Sequence, residues 1–161
     1  MKKIIFFPCA VIAAVLYACS GNNAPGSGAG NAAASTAATT ANGNPSYDPE
    51  RGEGKFTAVS LNDKLDATMA AGGEKIYNVK CSACHKLTTE KLVGPGWQGV
   101  TTRHKPEWIM NFITNTDKMI DKDPKAQAML EICLVRMPNQ NLSDEDARSL
   151  LEFMRKNDGI K

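Results

Sequence analysis

Charge of one sign is not in surplus. The chain carries 19 Lys and Arg against 17 Asp and Glu, and Lys2 and Lys3 stand at its front, so the remainder balances. Such a balance argues against a polyanion-binding protein, and nucleic acid is not an expected partner. Long hydrophobic runs are missing too. Residues 4–18 (IIFFPCAVIAAVLYA) would reach about 22 Å as a helix, short of the ~30 Å hydrocarbon core, and Pro8 interrupts them. A lone membrane span is therefore disfavoured. Residues 20–46 contain only Ala, Gly, Asn, Pro, Ser and Thr. Without charge or bulk they cannot bury enough apolar surface to offset the entropy of ordering. About 100 residues remain for a core, which fits one small domain rather than two.

What is present at the front has the order of an export signal: a basic start, an apolar stretch and small residues near its end, over residues 1–18. Leu16-Tyr17-Ala18-Cys19 resembles the bacterial lipobox, in which the cysteine thiol receives a diacylglyceryl group and the leader is cut before it. Tyr17 is bulkier than that pattern prefers, and cleavage nearby with Cys19 left as a thiol is the rival. The lipobox reading places the protein in the bacterial cell envelope, facing the periplasm and lipid-anchored to a membrane. Residues 19–60 are then a lipidated cysteine and a flexible linker, whose uncharged part spans about 30 Å. Phe56 and Val59 are candidates for packing on the domain, while Gly52 and Gly54 argue against a helix. The boundary falls at Leu61, leaving 61–161 as the domain.

Cys81-Ser82-Ala83-Cys84-His85 carries the chemistry. In a short helical turn this spacing presents two thiols that can add to the two vinyl groups of one haem, and the next residue supplies an imidazole for the iron. Three other readings compete. Zinc needs a second ligand pair, and downstream the chain offers His104 and the isolated Cys133. A thioredoxin-like thiol pair needs alternating strands and helices, and no β-branched runs frame the motif. A plain disulfide suits an exported protein.

The rest of the domain reads as helices. Asp66–Lys80 places Met69, Gly73, Ile76, Tyr77 and Lys80 at helical spacing, and Pro106 opens a helix through Trp108, Ile109, Phe112 and Ile113. Asp123 and Pro124 open another, with Ala126, Met129, Leu130 and Cys133 inward. Ser143 is a candidate N-cap followed by three acids, and Gly159 ends the stripe Ala147, Leu150, Leu151 and Met154. An all-α domain is expected.

Over roughly Ala67 to Asn157 these residues resemble class I cytochrome c, in its bacterial lipoprotein branch. The resemblance rests on Cys81 to His85, on Gly94-Pro95 with Gly99-Val100, on Gly73 and Tyr77 against Phe153, and on Met137-Pro138 before the last helix. It implies helices wrapped around one covalent haem c on Cys81 and Cys84. It implies also that His85 and Met137 are the axial iron ligands and that the Pro95 carbonyl accepts the second ring proton of His85. Trp97 sits where the family often has Leu.

Met119, read as lying in a loop between helices, is the rival methionine. His104 is the other contender, with a surface place between Arg103 and Lys105 as its plainer reading. Met69, Met110, Met129 and Met154 fit helix faces as packing residues, and Cys133 reads as a small core residue or an intermolecular disulfide. The expected function is electron carriage between respiratory redox proteins, with no catalytic residue and no small-molecule substrate. The resemblance implies a quinol-oxidising donor and a terminal oxidase or nitrous oxide reductase as acceptor. A haem enzyme or gas sensor with a displaceable Met137 is the alternative. Residues 66–105 are net basic and 106–158 net acidic. Lys80, Lys86 and Lys91 would steer an exposed haem edge toward an acidic partner, unless the split is ordinary solvated surface.

Overall fold

Six helices build the part of the chain that the computed structural model describes, residues 47–161. They are α1 (Ala67–Lys80), α2 (Val100–Arg103), α3 (Pro106–Thr114), α4 (Thr116–Lys122), α5 (Pro124–Cys133) and α6 (Asp144–Asn157). Among the described residues β pairing is limited to an isolated bridge between His85 and Lys91, so the expected all-α architecture holds. No helix among these residues is long and apolar enough to cross a membrane. The signal peptide 1–18, Cys19 and the linker as far as residue 46 lie outside the described residues.

The helix ends follow the capping residues. Asp66 accepts from the backbone N–H groups of Thr68 and Met69 at the start of α1, and Asp123 accepts from Ala126 at the start of α5. Ser143 and Asp146 form a capping box at α6, with Asp144, Glu145 and Asp146 in its first turn and Arg155 and Lys156 in its last. Both ends thus complement the helix dipole. Gly159 takes φ +93° beyond α6, a conformation glycine adopts without strain.

α1 and α6 cross at Gly73, where a Cβ would collide with the Ser149 carbonyl oxygen and lie 2.8 Å from Phe153 Cβ. The missing side chain lets the two backbones touch. Tyr77 and Phe153 then meet with ring centroids 5.5 Å apart. Glu152, 1% exposed, locks the crossing by accepting from Arg155 (2.7 Å), Arg148 (2.6 Å) and the Asp66 N–H (2.9 Å). This pair is the platform for everything else.

Two elements depart from the sequence reading. Met119 is not in a loop: it lies in α4, fully buried, with Thr116 and Ile120 buried on the same face. A helix of under two turns shows too little periodicity to be recognised. Residues 47–60, read as linker, are packed on the domain. Tyr47 donates its hydroxyl to Asp123, and the Glu53 N–H points to the Met119 sulfur at 3.0 Å. Buried Asn111 accepts from the Phe56 N–H and donates to the Arg51 and Phe56 carbonyls. Val59 donates to Glu107 at 2.7 Å. Phe56 and Val59 also pack against the core. The segment makes these contacts with α3, α4 and α5, which are distant in sequence, so nothing local announces them.

Candidate functional site

The last turn of α1 runs directly into the Cys81–His85 motif. Cys81 caps the helix through its N–H to the Tyr77 carbonyl (2.9 Å), and Cys84 and His85 both donate back to the Cys81 carbonyl (3.0 and 2.9 Å). The motif is therefore a tight turn fixed by the platform. Tyr77 adds a bond from its hydroxyl to the His85 carbonyl at 2.7 Å. Cys81 and Cys84 are free thiols, the first buried and the second half-buried. Burial pushes the Cys81 thiol up to about 11.

His85 is 9% exposed, and its Nδ1 lies 2.8 Å from the Pro95 carbonyl. A carbonyl only accepts, so Nδ1 carries the proton and Nε2 keeps its lone pair. Burial lowers the ring's pKa more than that bond raises it, so the imidazole is neutral at pH 7. The loop holding Pro95 is pinned in turn, Gly94 N–H donating to the Cys84 carbonyl at 2.9 Å and Trp97 N–H to the Lys86 carbonyl at 2.9 Å. A Cβ on Gly94 would strike the His85 ring. That absence of bulk is what allows proline and imidazole to meet.

Two apolar clefts open beside this ring. His85, Pro95, Phe112, Met129 and Met137 wall both of them. The first adds Cys84, Val93, Leu130, Cys133 and Val135; the second adds Trp97, His104, Trp108 and Met154. A haem requires an apolar slot, neighbouring thiols, and nitrogen or sulfur ligands. The donor set, the glycine that makes room for the ligand ring, and the apolar walls all fit it. Among the described residues no three His, Cys, Asp or Glu side chains cluster as ligands for a bare metal ion.

The structure sorts the rival residues. Met137 comes from the loop between α5 and α6, part-buried, in both clefts. Met119 walls neither; its sulfur faces the 47–60 segment. His104 is half-buried, not the freely solvated residue of the plainer reading. It stacks on Trp108 with centroids 4.0 Å apart, and its Nδ1 is the one buried side-chain polar atom among the described residues without a hydrogen-bond partner. Burial, then repulsion from Lys125 and Arg103, lowers it to about 4. Cys133 lines the first cleft instead of the core. The sequence reading assigned to packing both Met154, which walls the second cleft, and Met129, which walls both clefts and so is the missed second candidate ligand. Its signal was the apolar stripe of α5, which looks the same whether a helix packs on protein or on a cofactor. The lysines read as steering groups have internal partners: Lys80 donates to the Gln140 carbonyl (2.9 Å), Lys86 pairs with Glu90 (2.7 Å) and Lys91 donates to the Ile132 carbonyl (2.9 Å).

A family model described as cytochrome c matches residues 70–158. A cytochrome c from Rhodothermus marinus is 36% identical with a TM-score of 0.63, over 65% of this chain and 90% of that one. An engineered cytochrome c from the same organism, Rma TDE, is 35% identical with a TM-score of 0.65, over 69% of this chain and 98% of that one. No curated protein matches the chain. With more than half of its residues inside the family model and the helices, motif and proline carbonyl in place, this chain belongs to the cytochrome c family.

Proposed function

We propose that the protein is a monohaem electron carrier of the His/Met class, with haem c joined to Cys81 and Cys84 and iron held between His85 and Met137. Family membership supports a haem-based electron carrier with covalently bound haem c. The observation that carries the residue assignment is the 2.8 Å contact of His85 Nδ1 with Pro95. It fixes the tautomer that leaves Nε2 available as a ligand and raises its basicity. When bound, the haem supplies a metal that gains and loses one electron; a thioether ligand favours its reduced form. Met137 comes from a loop in which Pro138 lacks an N–H, so the backbone beside the sulfur has one fewer hydrogen bond to satisfy. Imidazole and thioether together leave no position for a substrate, which favours carriage over catalysis.

Met129 shares both clefts with Met137 and supports a second ligand reading. The two separate by substitution. Met137→Ala should leave haem colour that survives denaturation yet abolish the far-red methionine-to-ferric-iron band, while Met129→Leu should keep the band. The reverse pattern moves the ligand to α5. Rapid carbon monoxide binding by the reduced wild type at neutral pH would favour the enzyme or gas-sensor reading over both.

We place the carrier in the cell envelope, held to a membrane through lipid on Cys19 and exchanging electrons with respiratory redox proteins. The support is the leader and lipobox-like pattern of residues 1–19. Intact mass of the mature protein tests it: an N-terminus other than acylated Cys19 defeats the anchor.

A further inference from the structure

Leu134 ends α5 in the left-handed region, φ +59°, with its N–H on the Leu130 carbonyl at 2.8 Å. Glycine is the residue that takes this cap without strain. A leucine there should be compensated by packing, yet this one is 84% exposed. Neither backbone nor core accounts for it.

It is not alone. Ile132 and Val135 on either side are 67% and 54% exposed, and Leu92 and Val93 are also exposed. Lys91 ties the two segments together by donating to the Ile132 carbonyl at 2.9 Å. Val93 and Val135 additionally wall the first cleft beside Cys84 and Met137, so the patch is continuous with the rim of the candidate haem site. Most of the charges around it neutralise one another in exposed ion pairs. Lys86 pairs with Glu90 at 2.7 Å, and Arg136 with Asp121 at 2.8 Å and Asp117 at 3.3 Å. Lys91 keeps a charge without a carboxylate partner among the described residues, but its head is drawn onto the backbone. A surface of this kind gains by desolvation and has little field with which to select an acidic partner.

We propose that Leu92, Val93, Ile132, Leu134 and Val135 form the docking face, and that it receives a redox protein whose own contact face is apolar and weakly charged. This rests on the electron-carrier reading. It replaces the lysine-steered encounter expected from the sequence. An apolar centre of five side chains beside paired surface charges suits the small, short-lived contacts of electron transfer better than the larger and more hydrophobic interfaces of obligate dimers.

The test uses the haem-loaded protein on gold electrodes coated with methyl-terminated or carboxylate-terminated alkanethiols, the first standing in for the apolar partner face. Wild type should give the larger electroactive coverage on the methyl surface, with little change between about 0.01 and 0.5 M salt, a range over which screening alters markedly. Leu134→Gly accepts the same φ, so its melting temperature and far-red band should hold while coverage on the methyl surface falls about tenfold, the order expected for losing one buried leucine. Preference for the carboxylate surface, steep salt dependence, or a Leu134→Gly protein equal to wild type overturns the proposal. So does a Leu134-dependent dimer by sedimentation, or Leu134-dependent binding to neutral phosphatidylcholine vesicles, either of which assigns the patch to another occupant. Cycling with ascorbate and ferricyanide separates the two readings: a protein that fails to cycle reversibly loses the carrier reading, whereas one that cycles but ignores the methyl surface loses the docking face alone.

Discussion

His85 and Pro95 are ten positions apart, and their contact was expected from the resemblance of Gly94-Pro95 to the loop of class I cytochrome c, not from the spacing itself. His104 had no such guide. Its stack on Trp108 depends on where α3 starts and on how Trp108 is held by its Nε1–H to Asp123 at 3.0 Å, none of which local sequence specifies. The consequence is measurable. The His104 ring titrates near 6.5 when unfolded and at about 4 when folded. Between those values the unfolded chain binds more protons, so its contribution is intact above pH 6.5 and is lost as pH falls toward 4. Phe at this position can keep the stack without the titration. His104→Phe should therefore lose less melting temperature than wild type between pH 7 and 4.5. The difference should be about 5 °C, the equivalent of ~1 kcal/mol once the partly exposed ring is discounted for solvent screening. Parallel melting curves for the two proteins would remove the role given to burial of this ring.

Helix caps and prolines were readable because each is a local rule, and the two long helices because their stripes are of adequate length, whereas their crossing was expected from the resemblance of Gly73, Tyr77 and Phe153 to class I cytochrome c. The crossing gives the sharpest check. At Gly73 an added methyl meets the Ser149 backbone oxygen, which cannot swing aside as a side chain would. Gly73→Ala should cost about 2 kcal/mol through overpacking, seen as a lower urea midpoint with unchanged slope; an unaltered midpoint would mean that the helices do not touch there. Residues 47–60 and α4 were unreadable for a shared reason, since both are held by packing on other elements, the segment on α3, α4 and the start of α5 and α4 on α3 and α5, rather than by any pattern of their own. Asn111 and Asp123 are both 0% exposed and take hydrogen bonds from the 47–60 segment. A mature chain beginning at Leu61 removes all three side-chain hydrogen bonds of Asn111 and the Tyr47 bond to Asp123, which keeps Trp108 and Ala126, whereas one beginning at Tyr47 loses none of them. Each lost hydrogen bond is worth about 0.5–1.5 kcal/mol net, and the packing of Phe56 and Val59 on the core goes with them, so the shorter holoprotein should unfold at clearly lower urea. Coincident curves would return the segment to the linker.

The molecule is divided between a platform that contacts itself and a half that walls the two clefts. α1 and α6 meet through Gly73, Tyr77, Phe153 and the Glu152 cluster, contacts that need no cofactor. The walls of the two clefts, drawn from α3, α5 and the Met137 loop, enclose the space the haem would fill. Leaving that space empty removes contacts and admits water to apolar walls, so the cleft half should lose fixed packing before the platform does. The chain reports on this directly, because both of its tryptophans, Trp97 and Trp108, line the second cleft. Replacing Cys81 and Cys84 by alanine should give a colourless chain with reduced but substantial helical far-UV signal. Its near-UV tryptophan bands should be lost, and its tryptophan emission should rise and shift to the red of the holoprotein's. Retention of sharp near-UV bands without haem would show that the clefts are self-supporting. The cofactor would then be a guest of a finished fold rather than the core of half of it.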